Sequence, residues 1–112
     1  MDGTTSPKSA PLTLLAEAAR PEFEAFHHFH SVAERADGAI PAKYRELMAV
    51  AVALTTQCQF CIERHTARAR EAGATREELG ETVFVAAAVR AGGAFVHGMH
   101  AMRAFGEPGK AA

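Results

Sequence analysis

The segment PAKYRELMAVAVALTTQCQFCIERH, residues 41–65, decides the fold. Pro41 suits the opening of a helix, because its missing N–H would be unpaired there in any case. Tyr44, Leu47, Met48 and Ala51 then recur at helical spacing, and from Leu47 to Leu54 every side chain is apolar, which predicts a central helix. A break near Thr55–Gln57 leads into a further helix over about Cys58–Ala72, stopped by Gly73 at the usual C-terminal position. Working outward, Thr75-Arg-Glu-Glu78 reads as a capping box for the next helix, which carries Leu79, Val83, Ala86 and Ala87 inward. Gly92-Gly93 is expected to interrupt or kink the pattern before a last helix through Phe95, Met99 and Met102 to about Phe105. Upstream, Leu12–Ala19 suits a short first helix. Pro21 opens a second, running to about Ala36 with Phe23, Phe26, Phe29 or His30, and Val32 or Ala33 on its inner side.

Composition agrees. Alanine supplies 25 of the 112 residues while Val and Ile together supply nine, a balance that favours helix over strand. No alternating apolar–polar stretch is long enough for a strand. The expectation is an all-α bundle of about five to six helices, with the Cys-x-x-Cys at the start of a central helix. Residues 1–10 read as a flexible tail, 11–106 as a single domain and 107–112 as a C-terminal tail. The small residues that let helix axes approach also make each face shallow, so a helix such as Val83–Val89 calls for cover by a second subunit.

Twelve Lys and Arg against 13 Asp and Glu, a formal charge of −1, argue against nucleic acid as a main partner, which would need a clustered basic excess. The longest uncharged run, Leu47 to Ile62, turns polar at Thr55 and stops short of the roughly 20 apolar residues of a membrane span. The first residues lack the basic and apolar regions of a secretory signal. With two cysteines only, the expected compartment is the cytoplasm, where disulfides tend to be transient and catalytic.

Chemistry concentrates in Cys58-Gln-Phe60-Cys61-Ile-Glu-Arg-His65. At about 100° and 1.5 Å per residue, Cys58, Cys61 and His65 share one narrow helix face. Cysteines three apart on a helix have Cα atoms roughly 5 Å apart, within the span a disulfide accepts. A helix start stabilises thiolate through its unpaired N–H groups and dipole. Cys58, at the helix start, is expected to be the more exposed thiol, with Cys61 a turn inside against His65, which could accept a thiol proton or hold a bridging water. Two bland readings compete. Free cysteine is often plain core. Three soft ligands in eight residues also hint at zinc, although a continuous helix sets Cys58 and His65 about 10 Å apart along its axis and no second Cys-x-x-Cys completes a tetrahedron. A redox dithiol on a helical scaffold is favoured over both. Glu46 by itself reads as a charge favoured in a first helical turn beside Lys43 and Arg45. His97 and His100, three apart, and the cluster His27, His28 and His30 read mainly as partly exposed or backbone-satisfied residues, with a metal or redox-pocket role open for the His97–His100 pair, His97 first.

Glu46, Cys58 twelve residues later, and the Cys-x-x-Cys-x-x-x-His run on an all-helical chain of this length together resemble the AhpD-like alkylhydroperoxidase group of the carboxymuconolactone decarboxylase superfamily. The resemblance spans roughly residues 20–105, is strongest over Tyr44–Gly73, and extends to the stretch Ala88–Gly98. It implies that Cys61 attacks a hydroperoxide, that Cys58 resolves it as a disulfide, and that Glu46 and His65 sit in a proton relay. It further implies reduction by a dithiol donor such as a lipoylated protein, no cofactor or metal, and assembly into trimers or hexamers. Phe60 departs from members with a second His before the second Cys, which puts the substrate and rate at issue. Members that act as decarboxylases lack the Cys pair, which disfavours that activity. The alternatives are a disulfide reductase or redox sensor without peroxidase turnover, or a non-catalytic metal-binding module using Cys58, Cys61, His65 and His97.

Overall fold

In a computed structural model, which describes residues 10–109, five α-helices follow one another: α1 (Ala10–Ala18), α2 (Arg20–Ala33), α3 (Ala42–Thr56), α4 (Gln59–Glu71) and α5 (Arg76–Phe105). No strand occurs among the described residues. The expected tails lie mostly outside that range, apart from Ala10, which is helical, and 107–109, which form a turn. The chain divides into two units, residues 1–36 and 37–112.

The first unit holds α1 and α2, which pack on each other. Pro21 stands in the first turn of α2, where its fixed φ and absent N–H cost nothing. The inner face expected for α2 is not buried: Phe26 and Phe29 are exposed, and only Phe23 and His30 are half-covered. The helix also ends at Ala33, three residues before the predicted Ala36.

The second unit is built around α3, which packs against both α4 and α5. Its buried residues are Glu46, Leu47, Val50 and Ala53, so the inward face is rotated from the predicted Tyr44–Leu47–Met48–Ala51 stripe. Leu47 belongs to both. Tyr44 and Met48 instead line an open groove of about 350 Å³ against Glu78, Glu81 and Val85 of α5. The reason is that α3 is apolar on most sides, so periodicity alone does not choose the side taken by α4.

The start of α5 is held as its sequence predicts. The Thr75 hydroxyl accepts from the Glu78 N–H at 3.1 Å and the Glu78 carboxylate accepts from the Thr75 N–H at 2.9 Å. Lys43 of α3 meets the same carboxylate at 3.0 Å. The Thr75 N–H above all, with Lys43 next, holds the Glu78 carboxyl below its ordinary value. The bond to Glu78 raises Lys43 in turn.

Gly92 and Gly93 do not break α5. It continues unbroken for 30 residues, and the separate last helix predicted from Phe95 is its second half. Each glycine costs a helix about 1 kcal/mol relative to Ala, too little to end one flanked by so many helix-forming residues. Ala86 is the only buried residue of α5, while Phe84, Val89, Phe95, Met102 and Phe105 are exposed. By length and composition this helix could cross a membrane.

Candidate functional site

The corner between α3 and α4 places the two cysteines. At the end of α3 the N–H of Gln57 and the N–H of Cys58 both return to the Ala53 carbonyl, the bonding pattern that turns a chain sharply out of a helix. That turn requires a left-handed residue, and Gln57 takes it at φ 58°, ψ 40°. One residue on, Cys58 is the N-cap of α4, and its Sγ accepts the Cys61 N–H at 3.3 Å. Cys58 therefore closes one helix with its backbone and caps the next with its side chain. The fourth helix accordingly begins at Gln59, with Cys58 as its cap rather than its first turn.

Cys58 and Cys61 are joined as a disulfide with Cα atoms 5.2 Å apart, close to the separation expected from helical spacing. Both cysteines are half-buried. The α3–α4 corner shelters Cys58, the thiol expected to be the more open of the two.

One turn beyond Cys61, His65 is buried and meets Glu46 across the α3–α4 interface, Nδ1 to Oε2, at 2.7 Å. The side chains of both are only 7% exposed. A carboxylate can only accept, so Nδ1 of His65 is the donor in this bond. The other carboxylate oxygen, Oε1, lies 3.4 Å from Arg68 Nε. Two partners on two oxygens compensate a charge that would be costly to bury alone.

Spacing alone read Glu46 as a surface charge, and burial reverses that. Lys43 and Arg45, its neighbours in the same turn, are half-buried, while Glu46 points into the interface with α4. Arg68 was missed. It stands three residues after His65, on the same face of α4, between the exposed Arg64 and Arg70, and the i, i+3 spacing from a site histidine was the signal available.

The other histidines with described partners meet them within their own helices or at a helix end. His97 Nδ1 bonds the Gly93 carbonyl at 3.0 Å within its own helix, and its ring lies 5.7 Å from that of His100. His30 pairs with Glu34 at the C-terminal end of α2, and His27 stacks on Phe23.

Chemically, the corner offers a dithiol that can cycle with a disulfide, a helix start that steadies anionic sulfur at Cys58, and an oriented imidazole one turn from Cys61.

Comparison with known proteins places the chain among relatives. A protein of Paracoccus denitrificans named "uncharacterized protein 4 in cox locus" is 47% identical over 72 residues, 64% of this chain and 65% of its own length. An uncharacterized protein of Cupriavidus necator is 43% identical over 49 residues, 44% of this chain and 43% of its own. The chain thus spans less than two-thirds of either relative's length. The pattern of the carboxymuconolactone decarboxylase family matches residues 21–104. With that match over three-quarters of its length, the chain belongs to the carboxymuconolactone decarboxylase family.

Proposed function

We propose that this protein is a thiol-dependent peroxidase that reduces a hydroperoxide through the Cys58–Cys61 pair. The observation that carries the reading is the disulfide at the cap of α4 with the buried Glu46–His65 pair one turn away. A structural disulfide would not need an ionisable pair, itself costly to bury, beside it.

The cycle balances as follows. The Cys61 thiol gives its proton to His65 Nε2, and the thiolate attacks the terminal peroxide oxygen. The O–O bond breaks, the alkoxide takes a proton to leave as an alcohol, and Cys61 becomes a sulfenic acid. Cys58, as thiolate, attacks the Cys61 sulfur and expels hydroxide, which leaves as water once protonated. The product is the disulfide. Two electrons from an external dithiol, by exchange at the disulfide, return both cysteines to thiols and leave the donor oxidised. Glu46 holds the ring so that Nε2 stays the basic nitrogen throughout.

The N-cap position of Cys58 fits the resolving role. Its sulfur receives a backbone N–H and faces the positive end of α4, both of which favour the thiolate over the thiol. The same geometry would serve a disulfide reductase, with Cys58 as the exchanging thiol. The two readings separate in one experiment: hydroperoxide consumption by the reduced protein, supplied with small dithiols and with a lipoylated protein, alongside titration of free thiols. The peroxidase reading expects catalytic consumption and loss of two thiols per chain when the donor is withheld. Both thiols surviving a peroxide dose that oxidises a free dithiol would overturn it, while turnover of disulfides without peroxide loss would select the reductase.

The cytoplasm as its compartment and self-association through α5 belong to the same proposal. The support for association is the near-complete exposure of the apolar α5. Arg90 interrupts its apolar stretch and the helix packs on α3, which favours cover by another copy over lipid.

A further inference from the structure

The Glu46 carboxylate is gripped from two sides, and only one of the two partners lies in the proton path. His65 occupies Oε2 at 2.7 Å and Arg68 Nε stands 3.4 Å from Oε1. We propose that Arg68 is a positioning residue that sets the orientation of the Glu46 carboxylate and, through it, the tautomer of His65. This rests on the reading of His65 as the group that handles the Cys61 proton.

The last torsion of a glutamate is broad and roughly two-fold, so a single hydrogen bond leaves the carboxylate plane free to rock. Rocking would take Oε2 out of line with Nδ1 and let the ring proton shift to Nε2, the nitrogen that must stay basic. A permanent cation on the opposite oxygen removes that freedom, and arginine never loses its charge in the accessible pH range. The helix makes the arrangement economical: His65 and Arg68 are three residues apart on α4, so both reach the same carboxylate on α3. Burial separates this role from a general packing role. Glu46 and His65 are 7% exposed, but Arg68 is 40% exposed, so its guanidinium can be exchanged without opening a hole in the core.

The test uses the full chain, ¹⁵N-labelled, in wild-type, Arg68→Gln and Arg68→Lys forms; Gln and Lys match Arg closely in helix propensity. Ring-nitrogen NMR reads the His65 tautomer directly. The wild type should show one tautomer protonated at Nδ1, Arg68→Gln a mixture, and Arg68→Lys a return toward the single form. Single-turnover oxidation by hydroperoxide should slow by about 10- to 100-fold in Arg68→Gln, the range that losing a supporting partner of a functional histidine costs elsewhere. It should recover most of that in Arg68→Lys. A wild-type tautomer signature in folded Arg68→Gln overturns the proposal, as does a mixture that Arg68→Lys leaves uncorrected. Failure of the peroxidase reading looks different: wild-type protein inert to peroxide, with the ring signature still answering to Arg68→Gln.

Discussion

At the residue scale, the reactive corner makes distinct demands on three side chains. If Cys61 attacks peroxide, Cys58→Ser should leave a Cys61 sulfenic acid that a dimedone-type probe traps and mass spectrometry locates. Cys61→Ser should yield neither that adduct nor turnover. Glu46→Ala removes an acceptor that two groups share, and should slow the chemical step by ~10²–10⁴-fold, the usual worth of an acid–base group and its support. Part of that loss should return at higher pH, where Cys61 ionises without help. The same change should cost about 1–3 kcal/mol in denaturant unfolding, since it strips His65 of its buried partner. A Glu46→Ala protein with wild-type turnover and pH profile would return Glu46 to the role its spacing first suggested, a charge in an early helical turn.

Elements meet at caps here, and the caps carry stability that can be measured one by one. Losing the Thr75 hydroxyl in Thr75→Ala should cost about 1 kcal/mol, read as a shift in the urea midpoint. Its partner adds a pH dependence. Glu78 has its folded carboxyl held below the 4.5 of an unconstrained glutamate, so its contribution is present above that value and is lost as pH falls through the lower, folded value. Lys43 is raised above its ordinary 10.5, so its contribution is complete below that value and is lost as pH rises through the folded one. Glu78→Gln should therefore flatten the acid limb of a melting-temperature profile and remove part of the alkaline limb. At the far end of α4, Gly73 sits at φ +96° with open space where a Cβ would go. Gly73→Ala should still destabilise by about 1–2 kcal/mol, all of it backbone strain, because an L-residue resists that conformation.

For the whole molecule, the decisive question is what covers α5. Ala86 is its one buried residue, whereas Phe84 and Phe95 are each 75% exposed. The expected answer is other copies of the chain, so light scattering at micromolar concentration should give a trimer or a multiple of one, and a stable 11.9 kDa monomer would count against it. The glycines sharpen the test. Within one chain nothing lies within 4 Å of a Cβ built on Gly92 or Gly93, so Gly→Ala there should stabilise an isolated helix by about 1 kcal/mol. If a second copy packs closely on that face, Gly93→Leu should instead dissociate the assembly while leaving the circular dichroism helical.

What the sequence by itself determined is local. The helical class, the capping box at Thr75, the glycine stop at Gly73 and the shared face of Cys58, Cys61 and His65 all depend on residues within about two turns of one another, where periodicity and cap chemistry act. The tertiary structure alone decided three matters. It chose which side of the evenly apolar α3 faces α4, and so turned Glu46 from a surface charge by spacing into a buried partner of His65. It added Arg68 to the site, since a contact between residues 22 apart in sequence and on different helices leaves no mark on either helix's own period. It also carried α5 straight through Gly92 and Gly93, because the small helical cost of each glycine is outweighed by the hydrogen-bonded residues on both sides.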